Sequence, residues 1–390
     1  MRKAYLIYSV MNNNSVVKVG QKMLNLAFKT GLPVRGLVKH TLFDLFCGGE
    51  TIEESEATVR QLAAYDLGTI LDYSVEGEKT EEGFDKTKEE IIRTVIRSEG
   101  DVHVPFCVFK ISGLGNSDLL TKYQKGTTLS ATEKTALDKV WARVDEICRT
   151  AHEKKVRLFI DGEESWFQDT IDEITTEMMR RYNRERGIVH NTFQMYRHDM
   201  LGLLKKAHAE ATEEGYYLGA KLVRGAYMEK ERARAQEEGY PDPIQKNKDA
   251  TDRDFDTALD YCMEHIENIA FCSGSHNDSS NYLLMKLMHD HGISPDDNRV
   301  WFAQLYGMSD NISFNLAKGG YNVAKYVPYG PVKAVMPYLM RRANENTSIA
   351  GQSSREYSLI KSEMKRRKDE KRTRIALETS PAITDPFQTL

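Results

Sequence analysis

Residues 321–346 read YNVAKYVPYGPVKAVMPYLMRRANEN, a strand pattern that passes directly into a helix pattern. The first half alternates through Val323, Lys325 and Val327, with β-favouring valines and tyrosines around them. A Gly-Pro pair then marks a turn, and Pro331 is suited to the first position of a helix. A strand that leads at once into a helix is the repeating unit of an α/β fold.

The helical half carries Tyr338, Arg341, Arg342 and Glu345 at positions i, i+3, i+4 and i+7, and therefore on one face. Two neighbouring guanidinium groups offer forked donors that suit a carboxylate or a phosphate. The same pattern also fits a solvated surface helix in which Glu345 pairs with one of the arginines. Pro337 weighs against that second interpretation, because a proline inside a helix costs about 3 kcal/mol unless it is compensated.

Strand and helix patterns alternate along most of the chain upstream of this stretch. Eight strands, each followed by a charged helical segment over about 280 residues, match a (β/α)8 barrel in number and size. A doubly wound sheet would normally place a glycine-rich dinucleotide loop after its first strand, and the sequence has none. The predicted strands are Thr69–Tyr73, Val104–Lys110, Arg157–Asp161, Val189–Gln194, Leu218–Val223, Ile269–Ser273, Val300–Leu305 and Asn322–Val327.

Three regions follow from these patterns. Residues 1–62 are expected to form an N-terminal helical arm, residues 63–350 the α/β barrel, and residues 351–390 a basic C-terminal helical tail. The tail contains KSEMKRRKDEKRTRIA, which fits a solvated helix. It also fits an element attracted to anionic lipid, at about 1 kcal/mol for each basic residue near the surface.

The composition is that of an ordinary soluble protein, with 390 residues, 40% hydrophobic and 29% charged. A net charge of −4 argues against nucleic-acid binding. The five cysteines are scattered without a CxxC pair, which indicates reduced thiols and no zinc site. No apolar run reaches the ~18 residues of a membrane helix. We expect a cytoplasmic protein, with peripheral contact at the inner face of the membrane through the tail.

Polar side chains cluster where the predicted strands end. In a (β/α)8 barrel these carboxyl ends form one rim, and active sites are built there. Cations predominate at this rim, which suits a small anionic substrate together with an electron-rich organic cofactor. No group of residues has the spacing of metal ligands, and there is no GxSxG nucleophile motif. The rim residues are Lys110, Asp161, Gln194, Lys221, Arg224, His276, Asn277 and Tyr326.

Several long motifs resemble those of the proline dehydrogenases. They are KLVRGAYM at 221–228, SGSHND at 273–278, LYGMSD at 305–310 and KYVPYGPVKAVMPYLMRRANEN at 325–346, with a weaker match at GGETIEES near residue 50. The spelling is most similar to the monofunctional, eukaryotic-like branch. The resemblance implies a distorted TIM-type barrel that binds FAD without a Rossmann domain. It also implies oxidation of L-proline to Δ1-pyrroline-5-carboxylate, with electrons passed to a membrane quinone.

The resemblance also implies a role for each rim residue. Arg341 and Arg342 would hold the proline carboxylate with help from Lys110. Tyr326 and Tyr338 would pack around the proline ring. Glu345 would orient the arginines or face the amine. Asp161 would hold its active-site partners in place. The cofactor would contact Gln194, Lys221, Arg224, Gly225, Ala226, His276 and Asn277, with Lys221 near flavin N5. Bifunctional bacterial members carry Arg and Lys where this chain has Lys221 and Arg224, which leaves open which of the two contacts N5.

Tyr326 bears on the choice of substrate. Members that prefer hydroxyproline carry a small residue at this position, so a tyrosine points to proline. A hydroxyproline dehydrogenase is the alternative function, and a catalytically silent barrel that senses proline is a further one.

Overall fold

The computed structural model describes residues 2–11, 19–20, 23, 34–75, 78–348 and 352–379. Side chains at 344–348, 352–356 and 374–379 lie outside this description. The chain groups into two compact units, Phe46–Pro337 and Met1–Leu45 with Tyr338–Leu390.

Eight parallel strands close into a barrel in the unit Phe46–Pro337, which confirms the predicted (β/α)8 fold. Each strand pairs with its neighbours in sequence order, and β1 pairs with β8 through six registered residues from Gly68↔Ala324 to Tyr73↔Tyr329. The strands are β1 (Gly68–Tyr73), β2 (Phe106–Phe109), β3 (Arg157–Ile160), β4 (Val189–Gln194), β5 (Leu218–Val223), β6 (Ile269–Gly274), β7 (Val300–Leu305) and β8 (Val323–Tyr329).

Helices follow the strands, as expected for this architecture. Ile52–Ala63 is capped by Thr51, whose side chain accepts a hydrogen bond from the Glu54 amide. The helices after the N-terminal α1 (Arg2–Met11) are α2 (Ile52–Ala63), α3 (Glu81–Arg97), α4 (Ser117–Gln124), α5 (Ala131–Lys154), α6 (Ser165–Tyr182), α7 (Met200–Glu214), α8 (Met228–Glu238), α9 (Lys248–Glu264), α10 (Asp278–Asp290), α11 (Asp310–Lys318), α12 (Met336–Ser348) and α13 (Gln352–Thr379). A short helical segment, Arg35–Val38, Lys39–Phe43 and Asp44–Phe46, lies between α1 and α2.

The barrel has a small interior core and a larger core between the sheet and the helices. Inside the barrel Phe106 and Phe159 stack with ring centroids 4.3 Å apart. The Arg157 guanidinium closes the amino end, 5.4 Å from the Phe106 ring and 5.6 Å from the Trp301 ring. The strands are buried on both faces, as parallel strands covered by helices are. Aromatic rings and Arg157 thus fill the amino end of the barrel, and the polar cluster described below lies at the carboxyl end.

The loop before α2 runs alongside the end of β8. The Gly48 amide donates to the Pro328 carbonyl at 2.9 Å, and the Gly330 amide donates to the Gly49 carbonyl at 3.1 Å. A Cβ on Gly48 would lie 2.6 Å from Val327 Cγ1, so this close approach requires glycine. The GGE stretch is therefore an extension of the sheet at β8.

In the other unit, α1 and α13 contact each other through Tyr5 and Tyr357. Their rings stack at 5.1 Å, and their hydroxyl oxygens are 3.0 Å apart. The Lys3 ammonium also pairs with Asp44 at 2.8 Å. The predicted helical character of the N-terminal region is confirmed where the structure describes it, and residues 12–18, 21–22 and 24–33 lie outside the described part.

Two predictions around β8 are wrong. The helix does not start at Pro331, because residues 332–335 form turns and α12 starts at Met336. Pro337 is therefore the second residue of α12, where its missing N–H would have no partner inside the helix, and it needs no compensation. The last strand does not end at Val327, directly after Tyr326, because it continues to Tyr329 and pairs with β1 to its last residue.

Candidate active site

Asp161 is the centre of the polar cluster at the carboxyl end of the barrel. It directly follows β3, is 8% exposed and accepts hydrogen bonds from three side chains on other strands or strand ends. Lys110 Nζ donates to its Oδ2 at 2.6 Å, and the Tyr326 hydroxyl donates to the same oxygen at 2.7 Å. Lys221 Nζ donates to Oδ1. The structure thus brings together four of the predicted residues.

The Lys221 ammonium is buried between two aromatic rings. It lies 5.2 Å from the Phe159 ring centroid and 5.3 Å from that of Tyr326. Because side chains alternate along β5, Lys221 projects into the barrel while Leu222 packs in the outer core. The rings and the carboxylate together hold the ammonium in one position.

Burial alone would raise the pKa of Asp161, but the ammonium groups of Lys110 and Lys221 outweigh it and hold that pKa well below its usual range. Asp161 is therefore a carboxylate at any physiological pH. One negative charge shared by two ammonium ions leaves this cluster with a positive charge, which suits an anionic ligand.

Glu163 lies next to this cluster and is 3% exposed. It accepts hydrogen bonds from the Ser112 amide at 3.0 Å and from the Ser112 hydroxyl. Burial raises the pKa of Glu163 to about 7, despite the opposing hydrogen bonds from Ser112 and the charge of Lys110. The Glu163 carbonyl accepts a hydrogen bond from Gln194 Nε2 at 2.7 Å, so this amide donor is engaged by the protein.

Arg224 belongs to a different cluster, on the β6 side of the rim. Its three guanidinium nitrogens donate to Asp252 at 2.6 Å, Ser275 at 2.9 Å and Ser280 at 2.9 Å. Its guanidinium carbon lies 4.3 Å from the Phe255 ring centroid. Of the two cations that the sequence could not distinguish, Lys221 is the one in contact with Asp161 and Tyr326.

His276 and Asn277 have structural contacts at the start of α10. His276 Nε2 accepts from the Leu305 amide at 3.4 Å, and its Nδ1 lies 2.9 Å from Ser309 Oγ. Asn277 caps α10, and its Oδ1 accepts from the amides of Ser279 and Ser280. The predicted cofactor contacts of both residues stay predictions.

Gly225 and Ala226 directly follow Arg224. Gly225 has φ +126°, and a Cβ there would lie 2.5 Å from the Tyr196 ring, so the position requires glycine. Ala226 is exposed. Because Gly225 has no side chain, the backbone at this position can approach another group closely.

Tyr338, Arg341 and Arg342 lie on α12, which begins seven residues after β8 ends. Tyr338 is 5% and Arg342 6% exposed, and the Arg342 guanidinium lies 5.2 Å from the Tyr338 ring centroid. This burial rules out the alternative of a solvated face for Arg342. The side chain of Glu345 lies outside the described part of the structure.

Asp72 is a rim carboxylate that was not predicted. It is 3% exposed, accepts from the Ser74 hydroxyl and lines a cavity of about 30 Å³ together with Lys110 and Ser112. The predicted first strand ended at Tyr73, so the rule applied to the other strand ends would have found this residue. Among the described residues no set of three His, Cys, Asp or Glu side chains is placed to hold a metal ion.

Comparisons with known proteins agree with this geometry. The sequence profile described as "Proline dehydrogenase" matches residues 55–355. The chain is 32% identical to "Proline dehydrogenase 1, mitochondrial" of Dictyostelium discoideum, over 93% of this chain and 72% of that protein. It is 32% identical to "Carbapenem antibiotics biosynthesis protein CarD" of Pectobacterium carotovorum subsp. carotovorum, over 83% and 84%. It is 42% identical to the human "Proline dehydrogenase 1, mitochondrial", over 60% of this chain and 40% of that protein.

A solved structure shares the fold. Proline utilization A from Bdellovibrio bacteriovorus, inactivated by N-propargylglycine, superimposes with a TM-score of 0.73 at 21% identity. The match covers 89% of this chain and 36% of that one, so the chain spans about a third of the larger protein. The profile match over residues 55–355 and the 32% identity to a relative of which this chain covers 72% lead to one conclusion: the chain belongs to the proline dehydrogenase family.

Proposed function

We propose that this protein oxidises L-proline to Δ1-pyrroline-5-carboxylate with FAD as its cofactor, and that the electrons pass to a quinone. The observation that carries the proposal is the cluster at the barrel rim, in which the buried Asp161 carboxylate contacts Lys110, Lys221 and Tyr326. It has the excess positive charge that an amino-acid carboxylate and an electron-accepting ring both require.

The proline carboxylate is proposed to bind Arg341 and Arg342, with Lys110 as a third cation. Neighbouring arginines at i and i+1 present forked donors, and a fixed carboxylate positions the ring carbon next to the nitrogen for transfer. Tyr326 and Tyr338 are proposed to pack around the proline ring. Glu345 is proposed to orient the arginines or to face the amine. An Arg341→Met variant should lose proline turnover mostly through a higher KM.

The residues present fit an anionic cofactor with a planar ring. Lys221 lies among aromatic rings beside a carboxylate. Gly225 has no side chain to block access to its backbone, and Arg224 lies near the same strand end. Gln194, Ala226, His276 and Asn277 complete the proposed contacts. Bound FAD would accept the hydride, and Lys221 would stabilise the negative charge that develops on the ring.

Asp161 is proposed to be an orienting group, not a base. A carboxylate whose pKa is held low is a poor proton acceptor near neutral pH. Its function is to hold Lys110, Lys221 and the Tyr326 hydroxyl in a fixed arrangement before proline binds. The positions of the cations then need no rearrangement during transfer.

Spectroscopy tests the proposal. The purified protein should be yellow, and anaerobic addition of proline should bleach the flavin absorbance. A colourless protein that takes up no added FAD would contradict it.

Hydroxyproline is the competing substrate, and the contact of Tyr326 with Asp161 argues against it, since this bulky ring is fixed at the rim. The ratio of kcat/KM for proline and hydroxyproline decides between them. A silent proline-sensing barrel would bind proline without turnover.

Location and partners are also proposals. All five cysteines are buried thiols without disulfides, which suits the reducing cytoplasm. The mitochondrial names of several relatives make the mitochondrion the competing location. Along the described residues we find no helix with the length and apolar content needed to span a bilayer. We propose peripheral contact with the membrane through the basic tail, and no binding of nucleic acid or metal.

We keep the division into a helical arm (1–62), a catalytic barrel (63–350) and a basic tail (351–390) as a proposal. Expression of residues 63–350 alone, with FAD content and turnover as readouts, would test whether the barrel suffices.

A further inference from the structure

Helix α8 holds the segment that follows Asp161 through a completely buried carboxylate. Glu231 is 0% exposed. It accepts hydrogen bonds from the Ser165 amide at 2.7 Å and from the Ser165 hydroxyl at 2.5 Å. Ser165 is the first residue of α6, and the N-cap residue Glu164 makes no capping hydrogen bond from its own side chain. Glu231 therefore supplies from another element what a helix normally receives from its own N-cap.

Two further contacts extend the same attachment. The Lys230 ammonium pairs with Glu164 at 2.8 Å. The Arg234 guanidinium lies 4.6 Å from the Trp166 ring centroid. Three residues on one side of α8 thus contact three consecutive residues at the start of α6, namely its N-cap Glu164 and its first two residues Ser165 and Trp166. A surface ion pair by itself stabilises little, but the buried Glu231 contact is of the charge-assisted kind and is much stronger.

The attachment joins the segments that follow β3 and β5. The attached segment, residues 161–166, begins at Asp161, and α8 begins two residues after Ala226. One follows β3 and the other β5, so the link between them crosses the end of β4, where Gln194 lies. The Gln194 side chain donates to the Glu163 carbonyl at 2.7 Å. The linked elements thus lie on either side of the end of β4, and we refer to residues 161–166 together with α8 as the cover.

We propose that Glu231 is a positioning residue and that its contacts with Ser165 latch this cover shut over the bound flavin. The inference rests on the proposed function, because the flavin is taken to lie at Gln194 and Lys221. A cover tied on both sides slows escape of the cofactor, since the ties must open before the flavin leaves. The latch also fixes the segment on the C-terminal side of Asp161, whereas β3 fixes the N-terminal side.

Release of FAD tests the latch directly. Four variants are compared with the unchanged protein: Glu231→Gln, Ser165→Ala, Lys230→Gln and the control Glu229→Gln. Glu229 is an exposed acid on the same helix, so its variant removes the same charge without touching the latch. FAD fluorescence after dilution gives the release rate, and the thermal midpoint is measured in parallel. We expect Glu231→Gln to release FAD about tenfold faster, and Lys230→Gln to accelerate release less.

The outcomes separate the two proposals. If the unchanged protein holds no FAD, the proposed function and the latch both fail. If it holds FAD and Glu231→Gln releases it at the rate of Glu229→Gln, only the latch fails. Should Glu231→Gln not fold, Ser165→Ala removes one hydroxyl only and must still accelerate release. In the double variant of Ser165 and Glu231 the two effects should be less than additive, as for two ends of one contact.

Discussion

Asp161 compensates two ammonium groups at once, the buried one of Lys221 and the half-buried one of Lys110, and the arrangement of the site depends on this shared charge. We expect Asp161→Asn to leave Lys110 and Lys221 without their carboxylate. Removal of one partner from a buried ionic cluster costs about 3 to 5 kcal/mol, so the thermal midpoint and kcat/KM for proline should both fall sharply. Asp290→Asn is the matched control, because Asp290 pairs with Lys286 on the surface and that pair stabilises little. Equal stability of the two variants would contradict the role assigned to Asp161.

Glu163 gives the site a dependence of stability on pH. Burial raises its pKa to about 7 from an ordinary value of 4.5. Between these values the folded protein retains a proton that the unfolded chain releases, so stability falls as the pH rises through this window. The total is about 3 kcal/mol for this fully buried group. Glu163→Gln should lack this decline in urea unfolding from pH 4.5 to pH 8. Parallel curves for the two proteins would show that Glu163 ionises normally.

At the scale of elements, the loop before α2 and the end of β8 form one unit. We expect Gly48→Ala to destabilise the barrel by about 1 to 3 kcal/mol, because the added methyl group would overlap the Val327 side chain. Gly202→Ala is the control, since Gly202 lies in α7 with no atom within 4 Å of the added Cβ, and alanine favours a helix. Both free energies of unfolding can be measured in urea. A Gly48→Ala protein as stable as Gly202→Ala would mean that the loop moves aside without cost.

The strands could be predicted from sequence because parallel barrel strands are apolar on both faces and end in polar residues. Strand alternation covers Lys221 but not Arg224, which directly follows β5. It does not show which of two cations meets Asp161, because that depends on the register with β3 and β8. The start of α12 was missed since Pro331 and Pro337 both suit a helix beginning, and only packing chooses between them. Contacts between distant segments, such as Glu231 with Ser165, leave no local pattern.

Across the whole molecule, the two ends of the barrel have different functions. Arg157 and the aromatic rings beneath it fill the amino end, whereas Asp161 and its cations occupy the carboxyl end. Stability and chemistry are thus separated along the barrel axis, as is usual for this fold. Asp161 is an exception to this separation, because its substitution is expected to lower stability as well as activity.

The basic tail is the part of the molecule where a membrane contact would arise. Residues 361–390 contain eight basic and five acidic residues, a net charge of +3. Several arginines are already paired along α13, as Arg366 is with Glu363 and Glu370. At about 1 kcal/mol per net charge the attraction to an anionic bilayer is about 3 kcal/mol, which gives weak binding that salt screens.

We therefore expect co-sedimentation with phosphatidylserine vesicles at low ionic strength, and its loss at about 0.5 M salt, where the Debye length is only a few ångströms. Deletion of residues 361–390 should abolish binding while the stacked pair Tyr5 and Tyr357 is retained. Neutral vesicles are the control. Binding that survives both the deletion and high salt would place the membrane contact elsewhere in the chain and make it apolar, since screening acts only on the attraction between charges.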